Sequence, residues 1–90
     1  MNNSNEMYDR AVLIAEANGF EFVDLFLYYQ NDDNARFGLK IQPWVNRAVS
    51  IQVKQDDAPM DESEPIILSP LDRALLEPII KAIAFAAKTR

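Results

Sequence analysis

The chain has 90 residues, enough for a single domain with one hydrophobic core over residues 1–90. It contains no cysteine and no histidine, which excludes disulfide bonds, thiolate chemistry, the commonest general base and the commonest transition-metal ligand. Fourteen acidic residues against nine basic ones give a net charge of −5, which disfavours non-specific binding to nucleic acid and to anionic membranes.

The first predicted element is an amphipathic helix over residues 4–18. Asn3 is the predicted N-cap, and Glu6, three residues later, completes a capping box. Asn18 and Gly19 end the helix, because glycine readily adopts the left-handed conformation of a C-terminal cap. One apolar arc at helical spacing faces the core, and it consists of Met7, Tyr8, Ala11, Val12, Ile14 and Ala15.

Three strands follow, and we predict them over residues 21–30, 35–42 and 47–55. Apolar and polar residues alternate along these segments, which is the pattern of an antiparallel sheet with one buried and one exposed face. Because the predicted connections between these strands are short, we expect consecutive strands to pair as a meander.

The alternation also predicts the register between the strands. Buried residues must face the same side on both partners, which pairs Tyr29 with Phe37 and Ile41 with Val49. Each connection is then a three-residue loop that ends in asparagine, a residue that tolerates the left-handed conformation such loops need.

The outward side of the first strand is unusually aromatic. It carries Phe22, Phe26 and Tyr28, and the second strand adds Arg36 and Lys40. An apolar patch on a face that should meet water usually contacts something. Aromatic side chains between basic ones are also how open sheets stack single-stranded bases. We therefore predict a partner-binding face here; the alternative is that another part of the chain or a second subunit covers it.

Two loop segments are further candidates for partner binding. Trp44 is either a lid on the edge of the core or, if exposed, an anchor for a partner. An acidic segment contains Asp57, Asp61 and Glu62, and three interpretations are open: a solvated linker, a mimic of nucleic-acid phosphates, or a cation site. It lacks the spacing of a calcium-binding loop, so we predict no metal site.

The last element is a helix whose N-cap is Ser69, with Pro70 at the first helical position. Pro78 removes a backbone hydrogen bond, so the helix should bend or restart there. Its apolar arc covers about half the circumference, more than packing on a sheet requires. The arc consists of Leu71, Leu75, Leu76, Ile79, Ile80, Ala82, Ile83, Ala86 and Ala87. The part of the apolar arc that does not pack on the sheet must contact the first helix, the apolar run Ile66–Leu68 or a partner.

Together the elements predict an α+β domain in the order α-β-β-β-α. Its sheet is a three-stranded antiparallel meander, and both helices pack on one face. The carboxylate pairs lie in turn-like sequence, and no serine has a histidine to activate it. We therefore expect no enzymatic activity and no cofactor.

The predicted function is that of a small acidic protein-binding module with a basic protein surface as its partner. A small acidic chain without cysteine or histidine can also be an inhibitor encoded by a virus, a phage or another mobile element, which would block a basic nucleic-acid-binding surface on its target. The alternatives are nucleic-acid binding through the aromatic and basic sheet face, and a structural homo-oligomer such as a homodimer. The polar start, Met1 to Asn5, predicts no signal peptide, and no apolar run approaches the roughly 20 residues of a membrane span. We therefore expect a cytoplasmic protein.

Overall fold

A computed structural model describes residues 5–23, 26–30, 36–55 and 64–88. Within these ranges two α-helices flank five antiparallel strands in sequence, and each strand pairs with the next. The elements are α1 (Glu6–Ala17), β1 (Glu21–Val23), β2 (Phe26–Gln30), β3 (Arg36–Pro43), β4 (Val49–Gln55), β5 (Ile66–Leu68) and α2 (Leu76–Lys88). The predicted α+β class and α-β-β-β-α order are confirmed: β2, β3 and β4 form the meander, and the short β1 and β5 extend it at its edges.

Helix α1 begins at Glu6, because Asn5 is its N-cap. The side-chain oxygen of Asn5 accepts a hydrogen bond from the Tyr8 N–H at 2.9 Å, and its amide nitrogen donates to the Ala48 carbonyl at 2.9 Å. The predicted cap, Asn3, lies outside the described residues. The predicted capping box is wrong, since Glu6 is the first helical residue rather than the third. Asn5 stabilises the start of the helix and also binds the loop before β4.

The first predicted strand, residues 21–30, is a hairpin of β1 and β2. Its register places Phe22 opposite Leu27, which is buried. The segment predicted as one strand is therefore two paired strands. The side chains of Phe22, Phe26 and Tyr28 lie outside the part of the structure that is described, so their predicted outward row stays a prediction.

The predicted register is confirmed between β2 and β3, where Tyr29 pairs with Phe37. Between β3 and β4 it is wrong by two residues, because Ile41 pairs with Ile51 rather than with Val49. A shift of two leaves each residue of β4 on the side of the sheet that the alternation predicts.

The connection between β3 and β4 runs from Trp44 to Ala48, and it is longer than predicted. It contains a short 3-10 turn and is closed by a hydrogen bond from the Trp44 N–H to the Ala48 carbonyl at 2.9 Å. Asn46 is left-handed as predicted, with φ of 57°, but Arg47 is left-handed too, with φ of 64°. The second left-handed residue lengthens the loop. The residue pair nearest the loop therefore lies two residues later along β4 than predicted.

The core lies between the sheet and the two helices, which pack on the same face. It includes Phe20, which reaches the core because Gly19, with φ of 98°, reverses the chain after α1. Its buried residues are Met7, Ala11, Ala15, Phe20, Leu27, Leu39, Ile41, Val49, Ile51, Leu68, Leu76, Ile80, Ala84 and Ala87.

A 3-10 segment, Pro70–Leu75, leads into α2. Ser69 caps it, accepting a hydrogen bond from the Leu71 N–H at 3.2 Å. The α-helix itself starts at Leu76, so Pro78 falls in its first turn, where no intrahelical hydrogen bond is lost. The predicted restart is confirmed and lies just before the proline. Neither of the two described α-helices is long and apolar enough to cross a membrane.

Candidate partner-binding surface

Helix α2 packs against the core along one side only. The buried residues on that side are Leu76, Ile80, Ala84 and Ala87. Their spacing of four, four and three residues keeps them on one face of an α-helix. Ile79 and Ile83 lie beside them, partly buried.

The opposite side of α2 is apolar as well, and it is exposed. Its residues are Pro78, Ala82, Phe85 and Ala86, and Leu75 precedes them by one turn. Phe85 is 67% exposed and Leu75 is 46% exposed. At a rise of 1.5 Å per residue this row is about 16 Å long. We call these five residues the outward face of α2.

The outward face explains the over-wide apolar arc of the sequence. Part of the predicted arc, including Ile80, packs on the core, while Ala82 and Ala86 do not. Leu71, also assigned to the arc, is 96% exposed. It lies near the start of the 3-10 segment and is separated from α2 by Asp72, whose backbone is not helical, so the helical phase of α2 does not extend back to it. Leu75, the last residue of that segment, directly precedes α2.

Charged residues mark one edge of the outward face. Lys81 and Glu77 form an i, i+4 ion pair with 3.0 Å between Nζ and Oε2. Both side chains are exposed, so the pair adds little stability. It does place a polar border along an otherwise apolar surface.

Other exposed apolar residues are more scattered. Leu13 on α1 is 67% exposed and has the acidic residues Asp9 and Glu16 about one turn away on either side. Trp44, in the loop between β3 and β4, is 45% exposed, and Val45 follows it. Trp44 is therefore not a fully covered lid, and its role as an anchor stays a prediction.

The outward side of the sheet is the site that the sequence singles out most clearly. Tyr28 pairs with Gly38 as predicted, and Phe26 and Arg36 lie at the starts of β2 and β3. Lys40 is partly buried and pairs with Gln52 across β4. The binding role of these residues stays a prediction.

The predicted acidic site, with Asp57, Asp61 and Glu62, lies outside the described residues. Among the residues that are described, no three carboxylates come together in a way that could hold a metal ion.

Sequence reasoning did not identify a cavity of about 440 Å³ at the start of α1. It is lined by Asn5, Glu6, Met7, Arg47, Pro70 and Arg73. These residues come from three segments: the start of α1, the loop between β3 and β4, and the 3-10 segment before α2. No local pattern joins them, so only the folded chain reveals the site.

Comparison of the chain with protein-family models, with curated proteins and with solved structures finds no significant match.

Proposed function

We propose that the chain is a non-enzymatic protein-binding module whose outward face of α2 inserts into an apolar groove of another protein. The observation that carries the proposal is the exposed row from Leu75 to Ala86. A surface helix normally presents charged and polar residues to solvent. Helices that dock into grooves instead present apolar anchors three, four and seven residues apart. Leu75, Pro78, Ala82 and Phe85 have this spacing.

The composition of the row suits close contact with a partner. Ala82 and Ala86 have small side chains, so a partner surface can approach the helix closely. Phe85 is the largest exposed group of the row, and aromatic residues are enriched in the buried centres of interfaces. Burial of a side chain of this size contributes about 1.5–3 kcal/mol. Phe85 is therefore the proposed anchor.

The proposed partner has a basic surface beside its groove. The net charge of −5 favours a partner of opposite charge, because complementary fields raise association rates and disfavour wrong partners. On α1 the exposed residues Glu6, Asp9 and Glu16 add to this acidic surface. In the cytoplasm, a basic surface of this kind commonly serves to bind nucleic acid, and the chain would act as its inhibitor.

Affinity capture with matched variants tests this proposal. Phe85→Asp places a charge in the outward face, and Leu13→Asp is the control, since both parent residues are 67% exposed. Every protein retained by the parent is then purified, whether or not F85D also retains it, and its affinity for the parent, F85D and L13D is measured by calorimetry. We expect F85D to weaken binding at least about tenfold, as loss of one anchor does, and L13D to leave it unchanged. The parent chain should also displace nucleic acid from the purified partner.

Three results would contradict the proposal in different ways. Equal affinity of F85D and the parent for every purified partner would remove the outward face from the interface. Dimerisation of the chain alone, abolished by F85D in light scattering, would assign the face to a homodimer. Direct binding of single-stranded DNA or RNA by the chain would replace inhibition with nucleic-acid recognition through the sheet.

A further inference from the structure

The cavity at the start of α1 concentrates positive charge in an acidic protein. Arg47 and Arg73 line it together, against a single carboxylate, that of Glu6. Neither arginine has an ion pair within the described parts of the chain. Guanidinium groups present a planar set of donors that matches the oxygens of a phosphate or a carboxylate. Two of them in one cavity suit a doubly charged anion.

Backbone donors border the same cavity. The Tyr8 N–H donates to the side chain of Asn5, and the Asp9 N–H donates to its carbonyl. The N–H groups of Glu6 and Met7 are the remaining donors of the first turn, and no acceptor for them lies within the described residues. Glu6 and Met7 both line the cavity. The N-terminal end of α1 thus adds donors to a site that the two arginines already make cationic.

We propose that this cavity binds a small organic phosphate, with Arg47 and Arg73 holding the phosphate group. A volume of about 440 Å³ exceeds what a phosphate ion fills and lies in the range of small-ligand sites. Met7 and Pro70 provide apolar lining for the organic part of the ligand. The proposal does not depend on the protein-binding role of α2, because the cavity shares no residue with the outward face.

Titration of the parent chain with phenyl phosphate, followed by NMR, tests the proposal. We expect saturable shifts at the backbone amides of Glu6 and Met7 and at the side-chain Nε–H of Arg47 and Arg73. Inorganic phosphate should bind more weakly, because it lacks the organic part, and benzoate more weakly still, because it carries one charge instead of two.

Matched variants separate a specific site from general attraction of anions. Arg47→Gln and Arg73→Gln should each weaken binding about tenfold, since each removes charge-assisted hydrogen bonds. Arg10→Gln is the control, because Arg10 is an exposed arginine on α1 that does not line the cavity. Glu6→Gln should strengthen binding by removing the one carboxylate, whereas Asp9→Asn should not.

Absence of saturable shifts with phenyl phosphate would overturn the proposal. Equal losses of affinity in R10Q and R47Q would do so too, since attraction to the whole surface would then explain the binding. Benzoate binding as tightly as phenyl phosphate would assign the cavity to carboxylates instead. Far-ultraviolet circular dichroism of each variant shows whether it is folded. An arginine-to-glutamine variant that is not folded is replaced by the arginine-to-lysine variant at the same position.

Discussion

At the scale of single residues, Asn5 joins two parts of the molecule through one side chain. Its oxygen caps α1 at the Tyr8 N–H, and its nitrogen donates to the Ala48 carbonyl just before β4. Asparagine suits both tasks, because its amide offers an acceptor and a donor at once. An aspartate side chain could accept the hydrogen bond from the Tyr8 N–H, but it has no N–H to donate to the Ala48 carbonyl. The position of α1 relative to the sheet therefore depends on the identity of this residue.

We predict that Asn5→Ala lowers the free energy of unfolding by about 1–2 kcal/mol, because both hydrogen bonds are lost. Asn5→Asp should cost less, about 1 kcal/mol, since the cap is kept and only the bond to Ala48 is lost. Urea unfolding of the two variants and the parent provides the measurement. An unchanged midpoint for N5A would mean that neither hydrogen bond stabilises the fold.

At the scale of elements, α2 has two apolar sides with different environments. Ile80 represents the side in the core, where it is fully buried, and Phe85 represents the exposed side. A helix that served only the fold would need one of these sides. The second side is exposed because the 3-10 segment and the restart at Leu76 set the phase of the helix.

We predict that Ile80→Ala lowers the free energy of unfolding by about 2–5 kcal/mol, as expected for a large-to-small change in a packed core. Phe85→Ala should change it by less than about 0.5 kcal/mol, because exposed substitutions have small effects. Thermal and urea unfolding distinguish the two. If F85A were as destabilising as I80A, the outward face would be covered within the folded chain.

The strands and loops also show which features of the fold can be predicted from the sequence alone. Alternation predicted the sheet and the pairing of Tyr29 with Phe37, because a buried face constrains parity strongly. It did not reveal the hairpin of β1 and β2, since the alternation of Val23, Leu25 and Leu27 continues across the connection and no glycine or proline marks a turn. The loop between β3 and β4 was misjudged because a second left-handed residue, Arg47, has no sequence signal. The cavity depends on tertiary contacts, which local patterns do not encode.

At the scale of the whole molecule, negative charge and apolar surface occur together. The net charge of −5 makes copies of the chain repel one another, and the same chain exposes apolar residues such as Phe85 and Leu71. The acidic segment with Asp57, Asp61 and Glu62 is a dense concentration of that charge along the chain. We expect this charge to act on the rate of association, and the outward face of α2 to act on the lifetime of the complex.

We predict that neutralising Asp57, Asp61 and Glu62 with Asn and Gln slows association with a basic partner by about tenfold, within the range that electrostatic steering spans. The effect should fade with added salt, and stability should be unchanged. Stopped-flow association at low and high salt measures this. The control removes the same charge elsewhere, at Asp9, Glu16 and Glu21. Equal slowing in both variants would assign the effect to net charge rather than to the acidic segment.

If the proposed function is right, the outward face of α2 contacts the partner. The most direct test is an NMR footprint, in which backbone amide signals of the labelled chain are recorded with and without the purified partner. We expect the signals of Ala82, Phe85 and Ala86 to change, and those of Gly38 and Gln52 on the outward side of the sheet to stay the same. Changes confined to the sheet, with the signals of α2 unaffected, would contradict the proposed function.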